Sequence, residues 1–215
     1  MTPTLVIMTG PQGAGNHLFS KALGQNSELC GWQQLQQQYW EGHDREPFAE
    51  CWNDPTKLNK FDWGQSNYFI TSVSCPYFNN GVETLPNYHL FVAYARECVN
   101  VRVLVLGRDQ TILGYQQTRV RSKHTTPAFI DKMQELLLYN PTFASQELLY
   151  LYRLPYLNWL EQQLGLPVTS DGTVLETILQ HDANEKYISA VESHWLDDVA
   201  KTASSKYCSK FGNIC

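Results

Sequence analysis

Positive charge and long apolar runs are both scarce in this chain of 215 residues. It has 16 Lys and Arg against 21 Asp and Glu, which gives a formal net charge of -5. Because general affinity for nucleic acid needs a basic face, this balance argues against a nucleic-acid partner. No run approaches the ~20 apolar residues of a membrane helix, and the N-terminal apolar run is too short for a signal peptide. We therefore expect a cytoplasmic protein with no membrane contact.

The cysteines lack the spacing of a metal site. None of the 6 cysteines forms a C-x-x-C pair, and no histidine stands at zinc-ligand spacing. We expect reduced thiols and no bound metal. Cys208 and Cys215 are close enough in sequence to form a bridge, but nothing in the pattern requires one.

The length fits one α/β domain with ample core over residues 1–215. Segment 31–64 has a Gln-rich run, several turn residues and no clean periodicity, which indicates an insertion. Its place between the first helix and the second strand suits a substrate cap, and a folded decoration without a ligand is equally open. Strands alternate with helices early in the chain, and helical patterns dominate later. This order predicts a three-layer α/β fold with a short parallel sheet and a helical C-terminal half.

A glycine-rich loop near the start is the most informative segment. An apolar run of strand length leads into a loop containing Gly10, Gly13 and Gly15, and a helical pattern follows over 16–23. Glycines permit positive φ, and the N–H groups of such a loop and of the next helix favour anionic oxygens. The layout predicts a phosphate- or sulfate-binding loop. A strand-to-helix turn that binds nothing is the alternative.

The two residues after this loop limit the class of ligand. Asn16 and His17 stand where an NTP-hydrolysing loop carries Lys and Ser or Thr. The missing side chains would neutralise phosphates and hold magnesium. Asn16 and His17 can still donate hydrogen bonds to an anion. The loop therefore suits a phosphate group better than metal-assisted triphosphate chemistry.

The loop resembles the 5′-phosphosulfate loop of sulfotransferases. It is closest to the Gly-Pro-Gln-Lys-Thr-Gly-Thr-Thr form of heparan N-sulfotransferase-like domains, and it places Gly13 at the catalytic lysine. The resemblance implies a P-loop-type fold and 3′-phosphoadenosine 5′-phosphosulfate (PAPS), or its product adenosine 3′,5′-bisphosphate, as cofactor. The cofactor-binding residues that it implies are Gly10, Gln12, Gly13, Ala14, Gly15, Asn16, His17 and Leu18.

A second segment is similar to the same family. The aliphatic run 101–106 reads as a buried parallel strand, and it ends at Arg108 before a helical pattern over 110–122. In sulfotransferases an Arg after such a strand, and a hydroxyl residue on the next helix, bind the 3′-phosphate. The resemblance implies that role for Arg108, with Gln116 at the position of the hydroxyl. A surface cation that pairs with Asp109 is the alternative.

Sulfuryl transfer also needs a general base that takes a proton from the acceptor. Where the family has Glu or His, the strand predicted over 68–74 offers only hydroxyl groups, such as that of Ser72. Other candidates are His43 beside Asp44, and His89. We assign the catalytic candidate to His17, because it lies in the loop itself.

Three functions stay open at this level. The first is a sulfotransferase-like protein that binds PAPS and transfers its sulfuryl group to a hydroxyl or amine of a small-molecule or glycan acceptor. The second is a non-catalytic binding or scaffold relative. The third is a nucleotide or small-molecule kinase, with Arg119 and Arg121 as lid arginines and Asp109 as the magnesium ligand. The sequence sets neither the acceptor nor the oligomeric state.

Overall fold

Five parallel strands form the main sheet of the computed structural model, which describes residues 2–25, 29–30, 46–64, 66–79, 81–180 and 184. The sheet order is β2-β3-β1-β6-β7, and a separate antiparallel ribbon joins β4 to β5. The strands are β1 (Thr4–Pro11), β2 (Leu29–Cys30), β3 (Tyr68–Cys75), β4 (Tyr77–Asn79), β5 (Val82–Thr84), β6 (Asn100–Gly107) and β7 (Thr142–Ser145). The predicted α/β class with a short parallel sheet is confirmed.

Helices cover both faces of this sheet. Alternate residues of β1 point to opposite faces, and both sets are fully buried, as is typical of a parallel strand between two helical layers. One face packs against α1 (Asn16–Gly24), α6 (Gln146–Leu164) and α7 (Thr173–Ile178). The other packs against α2 (Ala49–Asn53), a 3-10 helix (Pro55–Lys60), α3 (Tyr88–Cys98) and α5 (Thr126–Leu137).

The bounds of the helices agree with the sequence patterns to within about two residues at most ends. The remaining described helix, α4 (Gln110–Arg121), begins at the residue that the pattern gives. The helical C-terminal half needs one correction, because β7 separates α5 from α6. Four residues at an edge, with Phe143 exposed, carry no hydrophobic alternation that would have revealed this strand. A helix predicted over 187–202 lies outside the described residues.

The sheet order creates a crevice at the carboxyl ends of β1 and β6. These strands are neighbours, but the chain leaves β1 toward the β3 side and leaves β6 toward the β7 side. Connections that diverge from adjacent parallel strands open the position where α/β folds bind ligands. The glycine loop follows β1 and Arg108 follows β6, so both lie at this crevice. None of the helices in the described ranges is long and apolar enough to span a bilayer.

Candidate anion-binding site

The loop after β1 adopts the conformation that its glycines favour. Gly13 has φ 91° and Gly15 has φ 108°, both in the left-handed region. The Ala14 N–H donates to the Pro11 carbonyl at 3.0 Å and closes the turn. Gly15 is the N-cap of α1, and no side chain caps this helix within the described part of the chain. The N-terminal N–H groups of α1 therefore face the loop as an anion-binding helix end does.

A side chain at Gly13, where the resemblance to sulfotransferases would place a lysine, would be crowded and strained. A Cβ built on Gly13 would lie 2.8 Å from Gln116 Oε1 and 3.2 Å from Leu113 Cδ1. Its positive φ also strains any larger residue. The loop conformation therefore disfavours a lysine at this position.

Arg108 is buried against the loop, with 5% of its surface exposed. Its Nη1 donates to the Gly13 carbonyl at 3.0 Å and also to Gln116 Oε1. Its Nε donates to Asn184 Oδ1 at 2.8 Å. The alternative of a surface cation paired with Asp109 is therefore wrong. The structure brings together Arg108, Gln116 and the loop, and their role as phosphate ligands stays a prediction.

Asp109 has a structural role that the sequence left open. The Asp109 carboxylate caps α4, accepting from the Ile112 N–H at 2.9 Å.

Burial makes two of the described cysteines poor nucleophiles. Cys51, Cys75 and Cys98 are free thiols, and burial raises the pKa of Cys51 and of Cys75 to about 11. Neither of these two thiols is a ready nucleophile near neutral pH. Over the part of the chain described here, no cluster of His, Cys, Asp and Glu is arranged to hold a metal ion.

Gln117 holds the loop in place, and sequence reasoning missed it. The side chain is fully buried, and its Nε2 donates to the Gln12 carbonyl at 2.8 Å. Its Oε1 accepts from the Thr125 N–H at 2.8 Å, next to the start of α5. The available signal was its position four residues after the buried Leu113, which puts both on the inner face of α4.

A chain of hydrogen bonds links the first residue of α1 to the outer edge of the sheet. Asn16 Nδ2 donates to Ser72 Oγ at 3.1 Å, and the Ser72 N–H donates to Glu46 Oε1 at 2.6 Å. Among the described residues, β2 pairs with Tyr68 and Phe69 alone, and the Glu46 carboxyl accepts the Ser72 N–H farther along β3. Glu46 is only 4% exposed, and its irregular surroundings gave no periodic signal in the sequence.

A cavity of about 370 Å³ lies at this edge, between α2 and the end of β3. The N-terminal end of the predicted cap lies outside the described residues, but its described part, 46–64, forms one wall. The lining combines two carboxyl groups, one lysine, amides, hydroxyl groups and aromatic rings. Its residues include Glu46, Trp52, Asn53, Ser72, Tyr77 and Phe78. Glu46 and Ser72 line the cavity and also belong to the hydrogen-bond chain that leads to α1. The hydrogen bond from Asn16 to Ser72 therefore connects the cavity to the end of the loop.

The histidine candidates lie at different places. His17 and Leu18 are the second and third residues of α1, both half-buried, so His17 lies at the loop as expected and its catalytic role stays a prediction. His89 is exposed on α3, and its Nδ1 lies 2.9 Å from the Tyr139 hydroxyl rather than at the loop. His43 and Asp44 lie outside the described residues.

Comparison of the chain with models of protein families and with curated proteins gives no match. The likeness to sulfotransferases therefore depends on the loop and on the segment around Arg108. Both segments lie at the crevice between β1 and β6.

Proposed function

We propose that this protein is a sulfotransferase-like binder of PAPS, or of its product adenosine 3′,5′-bisphosphate, with a P-loop-type fold. One observation carries the proposal: a loop with two left-handed glycines joins the central strand to an α-helix that no described side chain caps, and the Arg108 guanidinium lies against it. Backbone N–H groups and a buried cation at a helix N-terminus favour an anionic group without a metal ion.

Buried amides around the loop support an anionic ligand. Gln12 Oε1, Asn16 Oδ1 and Gln146 Oε1 are buried, and none has a hydrogen-bond partner in the described part of the molecule. Each unpartnered buried oxygen costs about 1–3 kcal/mol. Rotating the Gln12 or Asn16 amide by half a turn exchanges its oxygen and its NH₂ group, whereas Gln146 keeps its NH₂ group toward Asn184. An anion at the loop would then accept from these NH₂ groups, and binding would remove part of that cost.

The cavity beside the loop supports an acceptor site. It is large enough for part of a small molecule or one sugar unit, and it adjoins α1 through Ser72 and Asn16. In an active enzyme, a hydroxyl or amine held there would receive the sulfuryl group, and His17 is the base that we assign. No nucleic acid or membrane partner is part of the proposal, and the protein is expected to work in the cytoplasm.

Gly13 favours a second candidate, a non-catalytic relative that binds the same cofactor. Without a lysine at this position, the transferring group lacks the cation that the family supplies. A kinase is the weakest of the three candidates. Its expected magnesium ligand, Asp109, caps α4 instead.

Calorimetric titration with adenosine 3′,5′-bisphosphate in the presence of EDTA tests the proposal. We expect micromolar binding of the bisphosphate, at least tenfold weaker binding of adenosine 5′-monophosphate, and no gain from magnesium. Absence of bisphosphate binding at millimolar concentration would overturn the proposal. Sulfuryl transfer from labelled PAPS to a panel of amines and alcohols then separates the active enzyme from the non-catalytic relative.

A further inference from the structure

The side-chain oxygen of Asn184 is surrounded by donors. Arg108 donates to Asn184 Oδ1 from Nε, at 2.8 Å, and also from Nη2. Gln146, the first residue of α6, donates to the same oxygen from Nε2 at 3.3 Å. Asn184 is 3% exposed and Gln146 is 2% exposed. One buried amide oxygen thus receives three N–H groups.

This donor set suits an anionic oxygen better than an amide oxygen. A neutral amide oxygen has two lone pairs, whereas here two donors of one guanidinium and a third donor from an amide converge on it. Hydrogen bonds from a guanidinium to an anionic oxygen are shorter and roughly twice as strong as those between neutral groups. Arginine also presents its N–H groups as a planar fork that matches phosphate oxygens.

The same donors border the loop. Arg108 reaches the Gly13 carbonyl through Nη1. Gln146 Oε1 lies 3.0 Å from the position that a Cβ would have on Gly15, the N-cap of α1. An oxygen in the place of Asn184 Oδ1 would therefore lie beside the N-terminus of that helix.

We propose that Arg108 and Gln146 form an oxyanion pocket, that Asn184 fills it with its own side-chain oxygen, and that a phosphate oxygen of the ligand takes its place. The identity of the ligand as a nucleotide bisphosphate rests on the proposed function, but the pocket itself is assigned to any phosphate oxygen. Asn184 is then an internal competitor. It satisfies Arg108 in the free protein, and the apparent affinity is the intrinsic affinity multiplied by the fraction of molecules in which Asn184 leaves the pocket open.

Two substitutions at this position are expected to act in opposite directions. Asn184→Ala removes the competing oxygen, so inorganic phosphate and adenosine 3′,5′-bisphosphate bind about tenfold more tightly, while the melting temperature of the free protein falls. Asn184→Asp places a carboxylate in the fork, so both ligands bind at least about tenfold more weakly, while that melting temperature rises. Asn59→Asp, on the exposed 3-10 helix, adds the same charge elsewhere and should change affinity less than about twofold.

Titration of the four proteins with inorganic phosphate and with the bisphosphate decides the inference. Opposite shifts in affinity and in melting temperature for the two Asn184 variants support it. Equal phosphate affinity of the wild type and both variants, or no phosphate binding by Asn184→Ala, overturns it. If the wild type binds no bisphosphate, the proposed function fails, and the phosphate titration alone then decides whether the pocket exists. If the bisphosphate binds the wild type and both variants equally, the function stands and the role of Asn184 is refuted.

Discussion

Two regions of the molecule differ in their chemistry and in whether protein atoms already fill them. They are the crevice between β1 and β6 and the cavity beside β3. The crevice presents the N-terminal N–H groups of α1 and the guanidinium of Arg108, and the protein's own oxygens accept from that guanidinium. The cavity is an open space of about 370 Å³ lined by carboxyl groups, amides and aromatic rings. One suits an anion, and the other suits a neutral or cationic molecule. The Asn16–Ser72–Glu46 chain of hydrogen bonds joins the two regions.

Removing the cation of the crevice should have the largest effect. Arg108→Ala deletes the charge, two of the three N–H donors to Asn184 Oδ1 and the Arg108 donor to the Gly13 carbonyl, so we expect bisphosphate affinity to fall at least about 100-fold and stability to fall by about 2–4 kcal/mol. Arg108→Lys retains the charge but not the planar fork of N–H groups. Its bisphosphate affinity and its stability should lie between those of the wild type and those of Arg108→Ala. Calorimetry and chemical denaturation measure both quantities. Arg119→Ala, on the exposed side of α4, is the control, and an equal loss of affinity there would contradict the comparison.

Introducing a lysine at Gly13, where the resemblance to sulfotransferases would place one, should lower stability and give no activity. Gly13→Lys forces a side chain into contact with Gln116 at a positive φ, so we expect a loss of about 1–4 kcal/mol in stability and no gain in sulfuryl transfer. Gly13→Ala and Gly81→Ala separate the causes, because Gly81 has φ 78° with nothing within 4 Å of its Cβ position. The difference between the two alanine variants measures crowding alone. A stable, active Gly13→Lys protein would show that the loop accommodates a lysine, and it would contradict the strain argued here.

Removing the two hydrogen bonds of Gln117, which connect the loop to the start of α5, should have a moderate effect. Gln117→Leu keeps the volume but leaves the Gln12 carbonyl and the Thr125 N–H unpaired, so stability should fall by about 1–3 kcal/mol. Bisphosphate affinity should fall about tenfold because the loop is less well ordered. Gln134→Leu, on the exposed face of α5, should change neither quantity. Unchanged affinity in Gln117→Leu would mean that the loop holds its shape without α4.

Changes on the cavity side should affect anion binding least. Glu46→Gln keeps an acceptor for the Ser72 N–H, so we expect bisphosphate affinity within about twofold of the wild type. Glu46→Ala leaves that N–H unpaired and should lower stability by about 1–3 kcal/mol. Thermal unfolding and calorimetry separate these outcomes. A large drop in bisphosphate affinity with Glu46→Gln would mean that the two regions are one site.

Local features of the site were predictable from the sequence, and its long-range contacts were not. The apolar run, the glycine spacing and the following helical pattern predicted the strand, the glycine loop and α1, and the structure has positive φ at Gly13 and Gly15. Each depends on neighbours in the chain. Gln117, Glu46 and Asn184 were missed because their roles come from hydrogen bonds between residues 8 to 105 positions apart. Such pairs have no period in the sequence and appear only when the sheet order is known.

Backbone amide shifts during a bisphosphate titration test the central claim most directly. In ¹⁵N-resolved spectra with EDTA present, the account predicts large, saturable shifts at Gly13, Gly15 and Asn16 together with the Arg108 side chain, and small shifts at Trp52 and Tyr77 of the cavity. Shifts confined to the cavity, or none at millimolar bisphosphate, would contradict an anion site at the crevice between β1 and β6.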